Sequence, residues 1–196
     1  MLSFLLLSSL VQAHPFSKNE FSLRTSIKIS EKGIVPLVAL EVPIPIALYD
    51  IGAEDQDTKS IKKRKIKDYN KKQWDQMAKG LSFTLNGVPV EGEWLPIEHP
   101  ANGKAAEGFF VYLLSFRPNN AYAPLNPGDE IIIKNQSYLD LPMVYTGSAY
   151  ASAPYTIADS TAKQILGENK DKDLNDPERW STDANLRTMV VTVGKK

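Results

Sequence analysis

Two imidazoles, those of His14 and His99, and no cysteine are what the chain offers to a borderline metal ion. Thiolate sites and disulfides are therefore excluded, and a copper, nickel, cobalt or zinc site must be built from nitrogen and oxygen donors. His14 has a special place. Residues 1–13 carry an apolar run from Phe4 to Leu10 and end in Val11-Gln12-Ala13, the small-residue pattern of an export signal cut after Ala13. No Lys or Arg precedes the run, which leaves the amine as its only charge or a start further upstream. The cut makes His14 the first residue of the mature chain, with its α-amine and Nδ1 as a chelating pair. Pro15 has no amide proton to give up, so copper cannot take the second backbone nitrogen and needs a side-chain donor, for which His99 is the candidate. The opposing reading leaves both histidines without a ligand role, His14 as the residue where processing cuts and His99 as an exposed member of the turn Glu98-His99-Pro100-Ala101-Asn102-Gly103.

Other chemistry is thin. The chain has no Gly-rich phosphate loop, no Gly-x-Ser-x-Gly and no cysteine nucleophile, and a serine triad would have to recruit His99 without any flanking signature. A non-enzymatic protein is the expectation. Asp55-Gln56-Asp57-Thr58-Lys59 has the outline of a calcium loop, but Lys59 stands at a ligand position and the glycine is missing. The acids from Glu168 to Glu178 lack ligand spacing and read as a solvated loop. Lys and Arg number 23 against 23 Asp and Glu, which argues against nucleic acid as the main partner. The basic run Lys59 to Lys67 could meet anionic lipid headgroups, yet it has no apolar face with it and reads as solvated surface.

These residues must be positioned by a domain of about 183 residues, 14–196, after the 13-residue signal; that is enough for one core. The apolar run of the signal is too short to anchor the chain, so no stable membrane insertion is expected after processing, and the location is periplasmic or secreted. Phe21 to Ile29 alternates apolar and polar residues, a strand with one buried face. Glu31-Lys32-Gly33 turns it into Ile34 to Leu48, where Pro36, Pro43 and Pro45 withhold backbone donors, so that this second strand ends at, or runs along, a sheet edge near Pro43. Residues 50–68 read as an exposed loop. A helix follows, with Asn70 as N-cap, Gln73 closing a capping box, Tyr69 and Trp74 as a staple, and Gly80 at its end. Asn86-Gly87 between Leu81–Leu85 and Val88–Val90 is the strongest hairpin signal, with a return strand reaching Trp94. Phe109 to Phe116, Glu130 to Asn135, Met143 to Tyr145, Tyr155 to Ile157 and Thr188 to Val193 complete the strands, and a short helix is expected over Ser160 to Leu166. The fold class is all-β, an antiparallel β-sandwich with one short inserted helix and a second near the C-terminus.

The leader ending in Ala13-His14-Pro15, the strand pair up to Leu48, the charged insert with its helix, the run Phe83-Thr-Leu-Asn-Gly-Val-Pro-Val90 and the later Leu125-Asn-Pro-Gly-Asp-Glu-Ile-Ile-Ile-Lys-Asn-Gln-Ser-Tyr138 resemble the extracytoplasmic β-domains of bacterial nickel and cobalt transport systems. These include a periplasmic substrate-binding-protein-like family and the leading domains of hydrogenase and urease accessory nickel permeases. The resemblance implies a transport accessory that binds nickel, cobalt or copper, with a membrane permease or another envelope protein as partner. It aligns His14 and Pro15 with the relatives' starting His-Pro, and Tyr138 with an aromatic after the Ile-rich strand. Many relatives carry a second histidine where this chain has Phe16, and the permease relatives continue into membrane helices where this chain stops at Lys196. Amine, ring and a second histidine also form the copper brace of lytic polysaccharide monooxygenases, though neither the sequence after His14 nor any disulfide pattern supports that oxidase. A third expectation is a structural or interaction sandwich that contacts protein or glycan through an edge strand or through Tyr145, Tyr150, Tyr155 and Trp180.

Overall fold

A computed structural model describes residues 20–106, 108–162 and 181–196. The strands are β1 (Phe21–Ser30), β2 (Gly33–Pro43), β3 (Leu81–Leu85), β4 (Val88–Pro89), β5 (Gly92–Pro96), β6 (Lys104–Ala106), β7 (Phe109–Pro118), β8 (Glu130–Asn135), β9 (Met143–Ala151), β10 (Tyr155–Ser160) and β11 (Thr188–Lys195). Two helices, α1 (Ile44–Asp50) and α2 (Lys63–Gly80), interrupt them after β2. One sheet runs β5-β7-β2-β1-β9, with β6 also on β7; the other runs β10-β11-β8-β3-β4. Alternate residues of both sheets meet in one core, where Ile27, Ile29, Val38, Leu40 and Leu114 from the first face Ile131, Ile133, Met189 and Val191 from the second. The all-β sandwich expected from the alternating strands is thus present. Its pairs are antiparallel except for β1 and β9, which run parallel over nine positions from Phe21↔Met143 to Ile29↔Ala151.

Several local expectations change, each for a physical reason. β2 ends at Pro43, but it is an interior strand between β1 and β7. Pro36 is tolerated there because its carbonyl accepts Ser115 Oγ at 2.7 Å, so its nitrogen also faces β7, whose backbone pairing with β2 begins only at Leu37↔Ser115. Residues 44–48 form α1 instead of strand: Pro43 and Pro45, which cannot continue a ladder, sit at the helix start, where the missing N–H groups would be unpaired anyway.

α2 starts at Lys63, well before Asn70, without a side-chain cap. Its inward stripe is Ile66, Tyr69, Asn70, Gln73 and Met77, and the two polar residues in that stripe hide its periodicity. Gly80 does end α2, though by close approach: a Cβ there would lie 2.0 Å from Ser137 Oγ. Asn86 (φ 54°) and Gly87 (φ 77°) form the expected primed hairpin turn. The strand that reaches Trp94 has meanwhile left β3 and joined β7 of the other sheet as β5. β9 and β10 run longer than the sequence suggests. The short helix expected over Ser160 to Leu166 lies outside the described residues beyond Ala162, as do the acids from Glu168 to Glu178.

Candidate functional site

β5 and β6 are two pieces of one edge strand. Pro96 pairs with Leu114 and the Ile97 amide reaches the Leu113 carbonyl at 3.2 Å; pairing then resumes at Lys104↔Val111. Between them the chain spends residues 98–103 on a loop that bulges from the sheet, and His99 is exposed on it.

The bulge is pinned by Asn102. Its Oδ1 accepts the Leu113 amide at 2.9 Å and the Trp74 indole N–H at 3.0 Å, while its Nδ2 donates to the Ile97 carbonyl at 3.0 Å and the Leu113 carbonyl at 2.9 Å. One side-chain amide thus stands in for the backbone partner that Leu113 would otherwise lose. Next to it, Gly103 (φ 70°) lies so close to α2 that a Cβ would be 2.7 Å from Asn70 Nδ2. Asn70 Nδ2 donates to the Gly103 carbonyl at 2.7 Å, and its Oδ1 accepts the Tyr112 hydroxyl at 3.0 Å.

The polar groups of α2 therefore serve the mounting of this loop. Trp74 and Tyr69 meet Tyr112 edge-on, with ring centroids 6.0 and 6.4 Å apart. The Tyr69 hydroxyl donates to Asp50 Oδ2 at 3.2 Å and the Tyr138 hydroxyl donates to Gln73 Oε1. Burial pushes the hydroxyls of Tyr69, Tyr112 and Tyr138 well above the usual phenol range, with smaller contributions from Asp50 and from neighbouring tyrosines. They are fixed donors, without a role as acids near neutrality. Asn102 is the residue that sequence reasoning missed, while Asn70 and Gln73, read there as cap and capping box, lie inside α2 on its buried side. The signal that could have placed them is Ile66, one turn upstream of the supposed cap on the same stripe as Tyr69 and Met77.

On the loop itself, the His99 carbonyl accepts the Asn102 amide at 3.0 Å and Nδ1 accepts the Ala101 amide at 3.2 Å. The second contact fixes the neutral ring with its proton on Nε2. A metal would bind either at Nδ1, replacing the Ala101 N–H, or at Nε2 after the proton moves across. Either change releases one exposed amide to water, at a cost of about 1 kcal/mol.

His14 lies outside the described residues. Among those described, no group of three His, Cys, Asp or Glu side chains could hold a metal ion. The calcium outline dissolves into local structure, since Asp57 Oδ1 accepts the Lys59 amide at 3.0 Å to start the turn Thr58–Ser60. Of the aromatic set, Tyr145 is buried and accepts Arg187 Nε at 2.8 Å, Tyr155 is half-buried, Tyr150 is exposed, and Trp180 is outside the described residues. No helix of the described residues is long and apolar enough to cross a membrane. No protein-family model matches the chain, and no curated protein matches it.

Proposed function

We propose that the protein is an exported, non-enzymatic binding module that takes copper, nickel or cobalt between the amine and ring of His14 and the ring of His99, as an accessory to a membrane permease or another envelope protein. One observation carries this reading. The pairings Ser22↔Glu41 and Glu41↔Val111 put the start of β1 and the His99 loop at the same end of one sheet. Three strand spacings, roughly 14 Å, separate the edge strand from β1. The seven residues from His14 to Phe21 span at most about 24 Å, so the terminal chelate can reach the loop. Support also comes from the mounting of the loop, because a ligand held by Asn102 and α2 loses little freedom on binding.

Isothermal titration of copper(II) and nickel(II) into protein whose intact mass shows His14 as the first residue tests the reading, alongside His14→Ala and His99→Ala. The expected result is weaker binding in both variants and loss of affinity in acid, where protons compete with the metal for the nitrogen donors. Equal affinity in all three proteins would remove the site, and loss in His14→Ala alone would reduce it to a terminal two-donor chelate.

A second reading, an interaction sandwich, is favoured by a cleft of about 590 Å³ between the edge of one sheet at β5 and the edge of the other at β3 and β4, walled by Leu81, Phe83, Val90, Trp94 and Phe116.

A further inference from the structure

The strongest charge asymmetry of the molecule lies on α2. From Lys59 to Lys79 the chain carries nine cations against two carboxylates, within a chain whose formal charge is zero. Asp68 and Asp75 are paired to Arg64 at 3.7 Å and to Lys71. Lys59, Lys62, Lys63, Lys67, Lys72 and Lys79 form no ion pair with any described residue, and all are exposed.

Their spacing concentrates them. Lys63, Lys67 and Lys71 follow at intervals of four and stack along one side of the helix, where like charges repel. Basic residues also crowd the first turn, the end of the helix where the macrodipole disfavours them. The fold accepts both costs on residues that are exposed among the described residues. Tyr49, 71 % exposed, lies on the neighbouring helix α1. The two helices are tied there, since Lys65 Nζ donates to the carbonyls of Ile51 at 3.2 Å and Gly52 at 3.5 Å, and Tyr69 reaches Asp50.

The geometry points to the outward face of α2, together with the exposed Tyr49 of the helix tied to it, as a docking surface for a bilayer rich in anionic phospholipid. Lysines supply the attraction to phosphate headgroups, and an exposed tyrosine suits the headgroup layer, with its ring toward the acyl boundary and its hydroxyl in water. A helix of 18 residues, about 27 Å long, carries these charges along its length, a span that a planar surface can meet in one encounter. This inference does not depend on the metal reading.

Co-sedimentation of the processed protein with vesicles of phosphatidylcholine plus phosphatidylglycerol, against phosphatidylcholine alone, tests it. Binding is expected only to the anionic vesicles, weakening as salt rises. Reversal of three unpaired cations, Lys63→Glu, Lys67→Glu and Lys72→Glu together, should lower the affinity on the order of a hundredfold, the product of roughly fivefold for each cation. Tyr49→Ser should lower it further without changing the salt dependence. Circular dichroism of each variant confirms that exposed substitutions leave the fold intact, and metal titration should be unaffected by them. No binding to anionic vesicles, or binding unchanged by the triple reversal, would overturn the proposal. Retention on heparin or RNA with no vesicle binding would reassign the surface to a soluble polyanion and overturn it equally.

Discussion

Asn102 shows how much one side chain can organise. It spends both donors and both lone-pair directions on Leu113, Ile97 and Trp74, and with it the edge strand keeps its pairing across a six-residue excursion. Asn102→Ala should destabilise the protein by about 2 to 3 kcal/mol, because a backbone amide, a carbonyl and an indole N–H lose their partners together. For a domain of this size that is a fall in Tm of roughly 5 to 10 °C, readable by calorimetry. Asn102→Asp keeps the acceptor for Leu113 and Trp74 but sets a carboxylate oxygen against the Ile97 and Leu113 carbonyls, so it should destabilise at least as much as alanine. Neither role was legible in the sequence. Asn102 reads as one more turn former in a stretch rich in Pro, Asn and Gly, and only the register of β5 and β6 on β7 reveals that it replaces a strand partner. Asn70 misleads for a related reason: asparagine favours helix starts, and nothing local shows that Gly103 and the Tyr112 hydroxyl, 33 and 42 residues away, satisfy it instead.

At the level of elements, α2 fastens its end to the second sheet. Gly80 gives its carbonyl to the Gln136 amide at 2.8 Å, while Ser137 Oγ donates to the Gln76 and Met77 carbonyls at 3.2 and 3.3 Å, so the helix terminates against the residue that follows β8. A Cβ at position 80 would strike Ser137 Oγ at 2.0 Å and its backbone nitrogen at 2.6 Å. Gly80→Ala is therefore expected to cost about 2 kcal/mol or more, although alanine is the better helix former by about 1 kcal/mol. Denaturant unfolding of Gly80→Ala against Gly52→Ala separates close approach from backbone freedom, since position 52 has open space but a positive φ. Strands announced themselves better than helices did. β1 and β3 have their apolar residues at period two, β7, β8 and β11 are short apolar β-branched or aromatic runs, and the Asn86-Gly87 turn fixes its own geometry. What escaped was pairing: the prolines of β2 read as an edge because proline withholds a donor, yet a single unpaired position suffices for an interior strand, and the parallel partnership of β1 with β9 leaves no local trace at all.

For the molecule as a whole, the buried phenols set its response to base. Burial pushes Tyr122 up to about 12, and its hydroxyl is buried without a hydrogen-bond partner among the described residues, with the ring lying over Gly33. Tyr69, Tyr112 and Tyr138 are raised further by desolvation. In the unfolded chain the same groups ionise near pH 10. The native state therefore holds protons that the unfolded state releases, and stability present below pH 10 is lost as pH rises toward the native values. One unit above pH 10, each phenol kept neutral by the fold costs about 1.4 kcal/mol, so the three raised most remove roughly 4 kcal/mol together. Urea unfolding should give a stability that falls steeply from pH 10 to 11, with the phenolate absorbance of these rings arriving together with the loss of near-ultraviolet circular dichroism. Tyr69→Phe keeps the ring and its packing against Tyr112 and Phe110 but removes one such proton, and should flatten the fall by about a quarter to a third. A stability unchanged up to pH 11.5, or phenolate absorbance that Tyr69→Phe removes while the chain is still folded, would show that water enters between α2 and the sheet and that the Asn70 and Gln73 network is looser than its distances imply.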